Sequence, residues 1–156
     1  MTTSLPTRWR LRIFERSLKM LDRWSVGANT PTAQAPHLET GLRGEDAAYF
    51  HLRRQGYLIV ARRWKSAKQA GDIDMIGWDG EWLCFIEVKT RTRRDNIAAE
   101  FSVDEDKRQT LRKMARQYLR NLDDIDQIPV RFDVLSVYML GEKTEFELFK
   151  AAFNWA

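Results

Sequence analysis

Two strand-length apolar runs, Ile73 to Trp78 and Trp82 to Lys89, flank Asp79-Gly80, and the charged residues inside them fall on alternate positions. An Asp-Gly pair between such runs favours a tight antiparallel hairpin, because both residues tolerate the left-handed backbone of a two-residue turn. Asp79 is accordingly read as a turn former. Strand side chains alternate between faces, so Trp82, Cys84, Ile86 and Val88 share one face while Leu83, Phe85, Glu87 and Lys89 share the other. In the partner run Asp72, Asp74 and Ile76 lie together, and a turn at Asp79-Gly80 brings Asp74 beside Glu87. Any fold of this chain must accommodate those carboxylates and an ammonium on one side of a hairpin.

Gathering carboxylates in a partly dehydrated place is costly, since like charges repel and each loses hydration, unless a cation or a proton compensates. A divalent metal is one compensation, and a donor set made only of oxygens selects a hard ion, Mg²⁺ (or Mn²⁺), over zinc. A cross-strand ion pair with Lys89 is the purely structural alternative. Glu45 is a separate clue. It stands three, four and seven positions before Ala48, Tyr49 and Leu52, on the helical face expected to be buried. An acid there needs a partner, either the strand acids and their cation or one of the many arginines.

Around this hairpin the chain divides into an arm, a linker and a domain. Thr7 to Trp24 is arginine-rich with Leu11, Phe14, Leu18 and Leu21 at helical spacing, so residues 1–24 read as a basic amphipathic arm that could touch lipid, nucleic acid or its own core. Residues 25–39 mix Pro, Ala, Thr and Gly without periodicity, as flexible linkers do. From Thr40 onward a single domain is expected, to residue 156. Its first helix spans Leu42 to Gln55 and ends at Gly56, and a strand follows over Tyr57 to Arg62. After the hairpin, Ser102 and Glu105 have the spacing of a capping box before a helical stripe of Leu111, Met114, Ala115, Tyr118, Leu119 and Leu122. Val130 to Tyr138 and Thr144 to Phe149 read as strands joined at Gly141-Glu142. The order is helix, three strands, helix, two strands, which is an α/β plan.

Composition narrows the function classes. With 156 residues, 44% of them hydrophobic, the chain can bury a sizeable core. Its one cysteine, Cys84, excludes an internal disulfide framework and a cysteine-rich zinc site, and fits a reducing compartment. No apolar run approaches the roughly 20 residues that cross a bilayer, so no membrane span and a cytoplasmic location are expected. The net charge of +4 mildly favours polyanionic partners. His37 and His51 have no matching Ser or Cys motif and are assigned no catalytic role, with His51 read as exposed. Trp64 and Trp78 are read as core before base-stacking residues.

Several short stretches together resemble a known family. Gly44-Glu45-Asp46, then Gly71-Asp72-Ile73-Asp74-Met75-Ile76, Phe85-Ile86-Glu87-Val88-Lys89-Thr90-Arg91, Lys107 and Arg131-Phe132-Asp133-Val134 look like the YraN-like uncharacterised bacterial family, which is related to archaeal Holliday-junction resolvases. The likeness runs from about Gly41 to Phe153. It implies a restriction-endonuclease-like core, a mixed central sheet flanked by helices, whose signature of an acid followed by Glu-x-Lys falls on Asp74, Glu87 and Lys89. It also implies a metal-dependent nuclease acting on nucleic acid, DNA before RNA, with Glu45, Asp74, Glu87 and Lys89 catalytic and Asp74, Glu87 and Glu45 holding the metal. A nucleic-acid-binding protein that keeps the fold without cleaving is the rival expectation. Asp72 stands where the family carries Glu and is expected in the outer shell. Phosphate contacts are expected from Arg91, Arg93, Lys107, Arg112 and Arg116, and the resolvase relatives imply a homodimer.

Overall fold

The computed structural model describes residues 36–94, 103–122 and 128–155, with side chains from Glu39 onward. The arm of residues 1–24, the linker as far as Ala35, and Ser102 lie outside the described residues. Helix α1 spans Pro36–Arg54. It begins inside the stretch read as linker, because Pro is tolerated in a first helical turn and Glu39 is an acid in that turn, where the helix dipole favours one. It ends as expected at Gly56, whose φ of 93° is open to glycine at little cost. The amides of Gly56 and Tyr57 donate back to the carbonyls of Arg53 and Leu52, a Schellman closure that turns the chain into the sheet.

Strands β1 (Leu58–Trp64), β2 (Ile73–Asp79) and β3 (Trp82–Arg91) form an antiparallel meander. Helix α2 (Glu105–Leu119) then carries the chain across to β4 (Val130–Leu140), parallel to β3, and β5 (Lys143–Phe153) returns antiparallel along the edge. A parallel neighbour requires such a crossover, and here a helix supplies it. The result is one mixed five-stranded sheet in the order β1-β2-β3-β4-β5.

Each face of the sheet carries its own core. Ala48 and Leu52 of α1 pack with Met75, Cys84, Ile86, Val88 and Leu135. On the other face, Leu111, Met114, Ala115 and Leu119 of α2 pack with Ile76, Leu83, Phe85, Phe132 and Val134. The alternation read for β3 is therefore the one observed, and the strand is buried on both sides because a helix covers each. Trp64 and Trp78 pack partly buried against the α2 core.

Three local readings are corrected. The hairpin turns at Gly80-Glu81, since Asp79 remains in β2 paired with Trp82, and its carboxylate accepts from Arg131 and Lys150 at 2.7 Å each. The N-cap of α2 is Asp104, which accepts from the Lys107 amide at 2.8 Å. His51 is not exposed; its ring stacks on Phe146 with centroids 4.1 Å apart.

Candidate active site

The β2–β3 register sets Met75 opposite Ile86, and one step further along it Asp74 faces Glu87. Both carboxylates project toward the α2 side of the sheet, at the end where Lys89 emerges. Asp74 is half-buried and its Oδ2 accepts from the Val88 amide at 2.7 Å, which fixes the carboxylate against β3. Burial first, and then the neighbouring Glu87 charge, push Asp74 well above the usual carboxylate range, more strongly than the Val88 amide and Lys107 draw it down.

Glu87 is buried and clamped by two cations. Lys89 Nζ lies 3.0 Å from its Oε1 and Lys107 Nζ lies 3.1 Å from its Oε2. Burial draws the Lys107 ammonium down, but Glu87, Asp74 and Asp72 outweigh it and hold the group above the ordinary lysine value. Lys107, expected to contact nucleic acid, is thus a member of the acid cluster in this structure. Asp72 adds its field to that ammonium.

Glu45 reaches the same neighbourhood from α1. Its charge adds to the upward push on Asp74, but its Oε2 is held by Arg63 Nε at 2.5 Å. Arg63 adopts a φ of 47°, a left-handed backbone uncommon for a residue with a side chain. Sequence reasoning did not single out Arg63, because a positive φ at an ordinary residue leaves no trace in composition or periodicity. The approach of α1 to β3 depends on Gly44: a Cβ there would stand 1.9 Å from Thr90 Oγ1. Among the described residues, no group of three or more His, Cys, Asp or Glu is gathered tightly enough to hold a metal ion. Of the three expected metal-binding acids, Asp74 and Glu87 face each other across the hairpin, while Glu45 pairs with Arg63 and acts on Asp74 through its charge.

The expected phosphate contacts divide. Arg93 is exposed beyond the end of β3, and Arg91 is half-buried in its last position. Arg112 is committed internally, with Nε donating to the Asn154 carbonyl at 2.8 Å, Nη1 2.7 Å from Glu105, and its guanidinium over the Phe153 ring. Arg116 is exposed and lies over the Trp155 ring. The arginines of α2 thus hold the end of the chain against the helix, which the charge pattern alone could not reveal.

A second polar cluster lies on the opposite face, near the turn end of the hairpin. Asp133 is fully buried and accepts from Arg131 Nε at 2.7 Å, the Ala151 amide at 3.0 Å and Tyr57 Oη at 3.3 Å. Burial and then Asp133 push the Cys84 thiol up to about 12, leaving it a protonated packing group.

An α/β protein with an acid-bearing hairpin, a lysine on the same strand and a helix-borne lysine closing over it is the class that fold and site define. The profile of the Uncharacterised protein family UPF0102 matches residues 44–137, which span α1 from Gly44 to most of β4. The chain is 46% identical over 145 residues to a UPF0102 protein of Koribacter versatilis, covering 92% of this chain and 96% of that one. It is 43% identical over 113 residues to a UPF0102 protein of Solibacter usitatus, covering 72% and 84%. With a UPF0102 protein of Chlorobaculum tepidum it shares 42% identity over 119 residues, covering 72% and 90%. The chain belongs to the UPF0102 family, the YraN-like family that its motifs resemble. No helix among the described residues is long and apolar enough to cross a membrane.

Proposed function

We propose that this protein has a restriction-endonuclease-like core and hydrolyses phosphodiester bonds in nucleic acid, DNA foremost, with Mg²⁺ or Mn²⁺. The observation that carries the reading is the Asp74–Glu87 pair: two carboxylates opposed across a hairpin, with Asp74 pushed well above the usual carboxylate range by burial and then by the Glu87 charge. Such a pair holds either a proton or a cation near neutral pH, and its oxygen donors fit a hard divalent ion. Asp74 and Glu87 would hold the metal, joined by Glu45 directly or through water once Arg63 lets go. When bound, the metal supplies Lewis-acid polarisation of a phosphoryl oxygen.

The chain's own groups do the rest. Lys89, on the same strand face as Glu87, orients the attacking water and stabilises charge developing on the phosphoryl oxygens. The Val88 amide keeps Asp74 turned toward the site. Arg93, exposed just past the strand that ends in this site, meets the flanking phosphates, with Arg91 and Arg116 as further contacts.

A second reading has its own support. Glu87 is already neutralised by Lys89 and Lys107, and Glu45 by Arg63, as suits a protein that keeps this fold to bind nucleic acid without cutting it. One assay separates the two. Cleavage of branched, duplex and single-stranded DNA and of RNA is followed with Mg²⁺ or Mn²⁺ for wild type, Asp74→Asn and Lys89→Met. The nuclease reading expects chelator-sensitive turnover that falls by about two orders of magnitude or more in both variants. Salt-sensitive binding with no turnover on any substrate selects the binding protein instead.

A further inference from the structure

Lys107 stands where a lysine is least expected. It is the third residue of α2 after the N-cap Asp104, beside Glu105 and Asp106, at the helix end whose dipole repels cations. A capping box would place an acid or amide side chain there. What outweighs that preference is the acid cluster: the Lys107 ammonium lies 3.1 Å from Glu87 Oε2 and within the fields of Asp74 and Asp72. Lys89 occupies the other Glu87 oxygen, so Lys107 is the cation on the oxygen that Lys89 leaves open.

We infer that Lys107 is a resident counter-ion, neutralising the Asp74–Glu87 pair while no divalent cation is bound, displaced when one binds, and then free to meet an anionic oxygen of the substrate. The inference rests on the metal-dependent reading above and adds a competition to it. A divalent ion must expel an ammonium before it can use both carboxylates, so metal affinity is held below what the acids alone would give. The displaced lysine sits on the first turn of a helix, a short swing from the site. Lys107 thereby couples metal arrival to phosphate capture, and the coupling is reciprocal.

The test uses the full chain and Mn²⁺ alone. Free Mn²⁺ is measured by electron paramagnetic resonance, and thermal unfolding is followed across the same titration, for wild type, Lys107→Met, Lys107→Gln and Lys107→Arg. The two neutral variants should bind Mn²⁺ about tenfold more tightly than wild type and show a larger Mn²⁺-induced rise in Tm, while Lys107→Arg stays near wild type. If wild type binds Mn²⁺ and the neutral variants bind it equally or less tightly, the counter-ion role is wrong and the metal site stands. If no variant binds Mn²⁺ and no Tm moves, the metal-dependent reading fails with it. A measurement on wild type alone covers the case in which the neutral variants do not fold. Amine acetylation read by mass spectrometry should be slow at Lys107 without metal and several-fold faster with Mn²⁺, with exposed Lys65 and Lys68 unchanged. Equal labelling at Lys107 in both conditions overturns the inference.

Discussion

Replacing Gly44 with alanine should destabilise the protein although it improves the helix. Alanine in a helix interior is favoured over glycine by about 1 kcal/mol. Against that gain, the new methyl would stand 1.9 Å from Thr90 Oγ1, 2.6 Å from its Cγ2 and 2.8 Å from its Cβ. The last atom is fixed to the β3 backbone, so a rotamer change cannot clear the contact and the helix must lift. Overpacking of this kind costs about 1–3 kcal/mol, and three overlaps at once place it at the upper end, for a net loss of about 2 kcal/mol. In a domain of this size that lowers Tm by roughly 4–8 °C. Urea and thermal unfolding of Gly44→Ala, Thr90→Ala and the double variant measure it. Removing the Thr90 hydroxyl and methyl leaves only the Cβ contact, so the double variant should recover about 1–2 kcal/mol relative to additivity. Because Glu45 follows Gly44 and Thr90 follows Lys89, the single variant should also lose cleavage or binding beyond its loss of stability. A Gly44→Ala protein as stable as wild type, or strictly additive behaviour in the cycle, would show that α1 does not pack against β3 at this point.

Asp133→Ala strips partners from Arg131, Tyr57 and the Ala151 amide together and should cost about 3 kcal/mol, Asp79 still pairing Arg131. Chemical denaturation within about 0.5 kcal/mol of wild type would sink that view of the network. Asp74 yields a pH prediction whose sign follows from its raised pKa. The folded, metal-free protein holds a proton at Asp74 more tightly than the unfolded chain, so this residue's contribution is present at acid pH and is lost as pH climbs from the ordinary aspartate value toward about 8. Asp74→Asn removes that titration. Its stability relative to wild type should therefore grow steadily between about pH 4 and pH 8, and a flat difference across that window would refute the assignment.

The hairpin was legible because period-two patterning and turn chemistry are local. Alternation along Trp82 to Lys89 sorts Glu87 and Lys89 from Ile86 and Val88, and Asp74 keeps their face although the turn falls at Gly80-Glu81, because moving a two-residue turn by one position shifts the register by an even step. The helical stripes were legible for the same reason, since each face is written in a few consecutive turns. Ends were less so. The start of α1 at Pro36 and the Asp104 cap depend on which of several adequate residues the packed helix uses.

Partner choice among charges is another matter. Charge and periodicity alone do not show that Lys107 enters the acid cluster while Arg112 turns to Asn154 and Phe153 and Arg116 stays exposed, and the family resemblance that marks Lys107 implied a phosphate contact for it. Nor could it show that Arg63 takes a left-handed backbone and captures Glu45, or that Asp79 leaves the turn for Arg131 and Lys150. A long charged side chain commands a sphere of possible partners, and only the stacking of α1, the sheet and α2 brings specific partners inside it. Local pattern therefore specified which acids lie on the hairpin. Which cations answer them was decided by how the layers came together.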